Sequence, residues 1–280
     1  MHPTAFPRLD RLSALLEGLA PAMSVTALWT QTRLEPAPKP PNGPGLSIYL
    51  SMDKPLRLEW AGQHLSALAP AAGVIRWGLA HRVVDAEGQV PAHLIAIQCR
   101  LTGPVAPLFL GEFAAPCLLT SSSDEPALRS AMKLITAELS APRCGQPALL
   151  HRAADSLFVG LLRHLVANPG GRPAGLFMGL ADSRIAKALV AMHQSPGHDW
   201  TLEHLAAEAG MSRTAFATIF RDLMDKTPGK YLSALRLALA ERAVSSGKGL
   251  KEAARVVGYR NASALSRALT RSRGLSQSST

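Results

Sequence analysis

Thr201-Leu-Glu-His-Leu-Ala-Ala-Glu-Ala-Gly210 runs directly into Met211-Ser-Arg-Thr-Ala-Phe-Ala-Thr-Ile-Phe220. Leu202, Leu205, Ala206 and Ala209 follow helical spacing and share one face. Gly210, without a Cβ, can close that helix in the left-handed conformation. Ser212 is a good cap for a second helix. Phe216, Ile219, Phe220 and Leu223 then recur at i, i+3, i+4 and i+7, the buried stripe of that helix. Arg213, Thr214, Ala217, Thr218 and Arg221 are left facing outward.

The pattern returns further on. Leu250-Lys-Glu-Ala-Ala-Arg-Val-Val-Gly258 runs into Tyr259-Arg-Asn-Ala-Ser-Ala-Leu-Ser-Arg-Ala-Leu269. Ala254, Gly258, Leu265, Ala268 and Leu269 repeat Ala206, Gly210, Phe216, Ile219 and Phe220, with one insertion after the glycine. Asn261 caps the second helix here, and Ala262, Ser263, Ser266, Arg267 and Thr270 face out, with Arg271 beyond. Between the copies, Thr227-Pro228 is a cap followed by proline at the first helical position. Tyr231, Leu232, Leu235 and Leu239 stripe the long helix that follows, and Lys248-Gly249 ends it. Helix, glycine turn, capped helix is the outline of a helix-turn-helix, whose outward residues near the second helix's start reach base edges. One such hairpin also suits an ordinary helical pair with a solvated face. A repeat at nearly fixed period is hard to reach by chance.

Residues 182–274 resemble the DNA-binding domain of the AraC/XylS family of bacterial transcription regulators. The matching motifs are Asp182-Ser-Arg-Ile185, Trp200-Thr-Leu, Leu205-Ala-x-x-Ala-Gly-Met-Ser212, Phe216-x-x-x-Phe220, Thr227-Pro-x-x-Tyr-Leu232, Arg236-Leu and Val257-Gly-Tyr259. The resemblance implies seven helices in two subdomains joined by one long helix. It implies double-stranded DNA as partner, RNA polymerase as a further one, and a homodimer. Base contacts would come from Thr214, Ala217 and Thr218 in the first reader helix, and from Ala262, Ser263 and Arg267 in the second. The chain departs from the family in Leu265 and Leu269, where two phenylalanines are usual. It also ends Gly274-Leu-Ser-Gln-Ser-Ser-Thr280 in place of a Pro-x-x-Tyr-Arg stretch. A less well packed second subdomain is expected, with base readout thin in hydrogen-bonding side chains.

Charge agrees with a polyanionic partner. The chain has 280 residues with 30 Lys+Arg against 20 Asp+Glu, net +10. Residues 175–280 carry 15 basic and 8 acidic side chains, so the excess sits in the segment that would meet phosphates. The length suggests two domains. No apolar run is long enough to span a bilayer, and Arg8, Asp10, Arg11 and Glu17 interrupt any leader-like stretch, so neither membrane nor export is expected. Three cysteines fit a reducing interior better than a disulfide framework. A bacterial cytoplasmic, nucleoid-associated location follows as an expectation.

Upstream, Ser47–Leu50, Leu56–Trp60, Val74–Trp77, Arg82–Val84 and Leu94–Leu101 are β-rich and separated by turn residues. They suggest a small barrel or sandwich. Leu15-Leu-Glu-Gly-Leu19, Trp29, Leu56-Arg-Leu58, Gly78-x-Ala-His-Arg-Val83 and Ile97-Gln-Cys-Arg100 are similar to the cupin-like sensor domain of one AraC-family branch. The Gly-Asp turn expected before the His-Arg strand is missing, and Ala71-Ala72 stands near its place. The fold class expected is α+β, a cupin-like β-barrel with trailing helices followed by an all-α domain. The boundaries are 1–122 for the sensor, 123–167 for a helical segment, 168–178 for a linker and 179–280 for the DNA-binding domain.

A metal-dependent cupin needs a His-x-His pair with further ligands converging on one ion. His64, His81 and His93 are scattered, so no metal, cofactor or catalytic residue is assigned, and the N-terminal domain is expected instead to respond to an unidentified small molecule or to chemical stress. Leu128, Met132, Ile135 and Leu139 form a two-heptad stripe that suits either a dimer seam or packing on the same chain's barrel. Cys99, next to Arg100, is either a redox-responsive thiol or an inert buried one. Two other readings stand beside a DNA-binding regulator. One is a metal-dependent cupin enzyme with a fused helical domain, the other an interaction protein with a degenerate DNA-binding domain.

Overall fold

A computed structural model describes residues 10–29, 43–84, 93–120, 125–169 and 174–277. The chain divides into two compact units, residues 20–102 with 109–168, and residues 1–19, 103–108 and 169–280. The class is α+β, as the sequence predicts.

Among the described residues the first unit holds eight strands: β1 (Pro21–Trp29), β2 (Gly45–Ser51), β3 (Leu56–Trp60), β4 (Gln63–Ala67), β5 (Ala71–Arg76), β6 (Arg82–Val84), β7 (His93–Leu101) and β8 (Cys117–Thr120). They form a five-stranded sheet in the order β1-β7-β2-β5-β8 and a three-stranded sheet β4-β3-β6, with antiparallel pairing. The five stretches predicted as strands are strands. β4 was invisible because it is exposed along almost its whole length and lacks apolar alternation. Ala61 and Gly62, at φ +46° and +76°, make the two-residue turn between β3 and β4, the positive-φ pair that a tight hairpin demands. Ala71 and Ala72, where a Gly-Asp turn was expected, lie inside β5 opposite Ser51 and Leu50.

The two sheets share a core of Tyr49, Leu56, Leu58, Ala71, Ile75, Val83, Leu94 and Ala96. On the other face of β2, Leu46, Ile48 and Leu50 are equally buried, which is why this strand reads as a near-continuous apolar run. Two helices complete the unit, α3 (Pro126–Ser140) and α4 (Gln146–Ala167). α4 lies along β1, where His151 Nδ1 meets the Met23 carbonyl at 3.2 Å. A Cβ on Gly160 would stand 2.6 Å from the Leu128 backbone nitrogen, so glycine lets the two helices close.

The second unit contains α1 (Ser13–Leu19) and the run α5 (Leu176–Ala181), α6 (Ser183–Gln194), α7 (Leu202–Glu208), α8 (Arg213–Met224), α9 (Pro228–Ser245), α10 (Leu250–Val256) and α11 (Ala262–Gln277). The seven helices from α5 onward are those the family resemblance implies. α2 (Ala106–Leu110) straddles the division between the units. Of the predicted linker, residues 170–173 lie outside the described residues. Among the described residues no helix is long and apolar enough to cross a membrane.

Candidate nucleic-acid interface

The first helix-turn-helix is α7 and α8. Thr201 Oγ1 accepts from the His204 amide at 3.1 Å and Ser212 Oγ from the Ala215 amide at 3.3 Å, each satisfying an orphan donor at a helix start. Gly210 turns between them at φ +65°. Phe216 and Phe220 point inward with ring centroids 5.5 Å apart, and Phe220 meets Tyr231 of α9 edge-on at 6.1 Å. The Tyr231 hydroxyl and His193 Nε2 share a 2.7 Å hydrogen bond. Burial lowers the His193 pKa to about 4, so the ring is neutral at pH 7. Arg213, Thr214, Thr218 and Arg221 are exposed on α8 and Ala217 is half-buried, all on the predicted outward face. Arg213 is held by an ion pair with Glu203 of α7, and Arg221 lies 3.9 Å from Asp222.

The second helix-turn-helix is α10 and α11. Asn261 Oδ1 accepts from the Ala264 amide at 2.8 Å, the predicted cap, and Gly258 turns at φ +78°. Leu265 is fully buried and Leu269 nearly so, against Ala240, Ala253, Ala254 and Val257. The core is closed, so the poor packing expected from the missing phenylalanines is not found: leucines facing alanines fill the smaller space. Ser263, Ser266, Arg267, Thr270 and Arg271 are exposed and Ala262 is half-buried. Beside them runs an open groove of about 830 Å³ lined by Lys251, Arg255, Tyr259, Arg260, Asn261 and Ser263. Lys251, Arg255 and Arg260 were not singled out from the sequence. The i, i+4 spacing of Lys251 and Arg255 was the available signal, because it puts both on one helical face.

The two remaining site assignments fall in the β unit and are corrected. Leu128 and Met132 are 2% exposed and Ile135 0% within the single chain, with Leu139 half-buried. The stripe is the inward face of α3, sealed against the same chain, and is not free to form a dimer seam. Cys99 is fully buried, and burial pushes its thiol well above the usual range, with Asp155 adding to the effect. Arg100 follows it on the opposite, exposed face of β7. The thiolate that a redox role needs is disfavoured there.

On the outer face of the three-stranded sheet, Arg57, Glu59, Trp60, His64, His81 and Arg82 line a groove of about 520 Å³. Glu59 bridges Arg57 at 3.0 Å and Arg82 at 3.5 Å. Both ring nitrogens of His81 are occupied, Nε2 with Tyr49 Oη at 2.9 Å and Nδ1 with the Leu79 carbonyl at 2.7 Å. Among the described residues no three His, Cys, Asp or Glu side chains are gathered as a metal would require. The side chain of His93 lies outside the described residues.

Comparison with known proteins places this geometry. Residues 10–167 match the family described as cupin and residues 205–280 the family described as helix-turn-helix domain. A putative AraC-like transcription regulator of Streptomyces antibioticus is 33% identical over 53% of this chain and 50% of its own length. The HTH-type transcriptional regulator AlkR of Acinetobacter baylyi is 30% identical over 54% of this chain and 49% of its own. The chain thus spans about half the length of the relatives it matches. The DNA-binding domain of AdpA, solved in complex with a target DNA, is 30% identical over 31% of this chain and 78% of its own, with a TM-score of 0.30. With a cupin match over more than half its length, the chain belongs to the cupin family, and a helix-turn-helix domain follows it.

Proposed function

We propose that the protein is a sequence-specific DNA-binding transcription regulator whose β unit receives a small effector molecule. The observation that carries this is the pair of capped reader helices, α8 and α11, each with its polar face outward. Base contacts are assigned to Arg213, Thr214, Ala217 and Thr218 of α8 and to Ala262, Ser263, Ser266 and Arg267 of α11, with Arg221 and Arg271 toward the backbone. Lys251, Arg255 and Arg260 add phosphate contacts. The effector is assigned to the β unit. Its groove offers Arg57, Arg82, His64 and Trp60 to an anionic ligand. Homodimerisation is assigned instead to exposed side chains of the two helices, Leu134 of α3 and Leu149 of α4, which are 41% and 37% exposed. Leu134→Asp is expected to give folded monomers, Ile135→Asp an unfolded chain. RNA polymerase contact and a bacterial cytoplasmic, nucleoid-associated location belong to the same reading, which makes the protein a regulator rather than an enzyme.

Mapping the binding sites genome-wide and footprinting one of them tests the proposal. Two protected major-groove segments about 34 Å apart are expected. With about 6 to 8 phosphate contacts per chain, log K should fall with a slope of roughly −5 to −7 against log salt. Protection that shows no sequence preference would defeat the proposal.

A further inference from the structure

Away from the reader helices, three elements of the helical unit meet: the α6–α7 loop at residues 195–200, the middle of α9, and the Val256–Gly258 turn of the second helix-turn-helix. Arg236 of α9 donates from Nε to the Pro196 carbonyl and from Nη2 to the His198 carbonyl, both at 2.7 Å. These two carbonyls flank Gly197. A Cβ on Gly197 would stand 2.6 Å from the Val256 carbonyl oxygen, and a Cβ on Gly258 would stand 2.7 Å from the Gly197 carbonyl oxygen. The loop is braced within itself, since Trp200 Nε1 donates to the Ser195 carbonyl at 2.9 Å and the His198 and Trp200 rings meet at 4.4 Å, and it reaches the first helix-turn-helix where the His198 and His204 rings lie 6.0 Å apart. Burial lowers the Arg236 pKa, with Tyr259 and Asp199 opposing that shift.

The two glycines serve different needs. Gly258 turns the chain at φ +78°, so a glycine is required there for conformation alone. Gly197 has no such requirement. Only the nearness of the Val256 backbone excludes a side chain from it. That contact joins backbone of the α6–α7 loop, which leads into the first helix-turn-helix, to backbone of the second. A single connecting helix leaves its two ends free to bend relative to one another, because long helices curve. A second contact beside that helix removes the freedom.

We infer that Arg236, Gly197 and Gly258 form a clasp that fixes the distance and phase between the two reader helices, and so sets the spacing of the DNA segments the protein accepts. They are positioning residues: they touch no base, and they act through the placement of α11 relative to α8. The inference rests on both helix-turn-helix units reading DNA, and it adds that spacing is itself part of the sequence specificity.

The test uses the full chain and duplexes recovered by selection from random DNA. Affinity is measured for the recovered site and for the same site with about 5 bp, half a helical turn, inserted between its two segments. The wild-type chain should lose at least about tenfold in affinity on insertion, equivalent to about 1.4 kcal/mol. Gly197→Ala and, independently, Arg236→Met should bind the recovered site more weakly, discriminate the inserted site by less than about threefold, and still protect the α8 segment. Wild-type protection of only one segment would bring down the two-reader proposal. Two protected segments with undiminished spacing discrimination in both variants would overturn the clasp alone. Loss of protection at both segments in the variants would also overturn it, because these contacts would then hold up the fold of the helical unit rather than the spacing.

Discussion

The two helix-turn-helix units build one backbone shape from different materials. The first closes on Phe216, Phe220, Tyr231 and the neutral His193, whereas the second closes on Leu265, Leu269 and small alanines. What recurs is the glycine at positive φ and the capping side chain, Ser212 in one and Asn261 in the other. The turn and cap thus define the motif, and the core need only fill the available volume. Aromatic rings bury more area and gain roughly 0.5–1.5 kcal/mol per pair from their geometry. The first unit should therefore be the stiffer reader and the second the one that opens first.

The largest expected effect tests that difference in the cores. Phe216→Ala should cost about 3–5 kcal/mol and Leu265→Ala about 2–5 kcal/mol. By amide hydrogen exchange, Leu265→Ala should release α10 and α11 while α7 and α8 stay protected. Equal loss of protection in both units after either change would mean one cooperative domain and would erase the distinction.

Of the two helix-turn-helix units, acid should act on the first. The folded-state pKa of His193 is about 4, below the ordinary value of about 6.5. The unfolded chain therefore takes up a proton that the folded chain refuses. Stability is complete above about pH 6.5 and falls as pH drops toward 4, by roughly 3 kcal/mol over the window and about 2 kcal/mol by pH 5. No histidine occurs in residues 248–280, so the second unit lacks this sensitivity. Thermal unfolding at pH 7 and pH 5 should shift for the wild-type chain and shift much less for His193→Gln. An equal shift in the variant would reassign the acid sensitivity to other groups.

Base recognition should lean on the second unit's arginine. Arg267 is exposed on α11 and forms no ion pair among the described residues, so its guanidinium is available for the bidentate contact guanine offers. Arg267→Ala should cost about 1–3 kcal/mol and relax preference at one base pair. An equal loss on every sequence tested would make it a phosphate contact instead.

Much of this was legible because it is local. Caps, glycine turns and helical stripes are written in consecutive residues, and Ser212, Gly210, Asn261 and Gly258 all do what their positions announce. The strands rich in branched residues were legible for the same reason, while β4, almost wholly exposed, carried no apolar signal. What escaped depends on a third dimension. The stripe on α3 was visible, but whether it faced its own chain or another depended on Gly160 and α4 lying against it. Cys99 was placed beside Arg100 by sequence adjacency, although neighbours along a strand point to opposite faces. The clasp at Arg236 joins residues 40 apart in the chain, and no local pattern encodes it.

The smallest effect concerns the reader arginine that is held across the turn of the first helix-turn-helix. Glu203 pairs with Arg213 across the turn of the first unit. Counting from the paired glycines Gly210 and Gly258, the position matching Glu203 in the second unit is Lys251, which lines the basic groove there. One unit thus restrains a cation where the other adds one. To reach DNA, Arg213 must leave Glu203 or share it, and an exposed pair of this kind contributes little. Glu203→Gln removes the competing charge and a repulsion toward phosphate, so it should tighten binding about twofold to fivefold at low salt, with the gain fading as salt screens it. The same substitution in an Arg213→Ala background should give a smaller gain, since only the repulsion remains to be relieved. If Glu203→Gln weakens binding instead, the carboxylate is orienting Arg213 for its base contact, and the first unit reads DNA through a pre-set arginine rather than a restrained one.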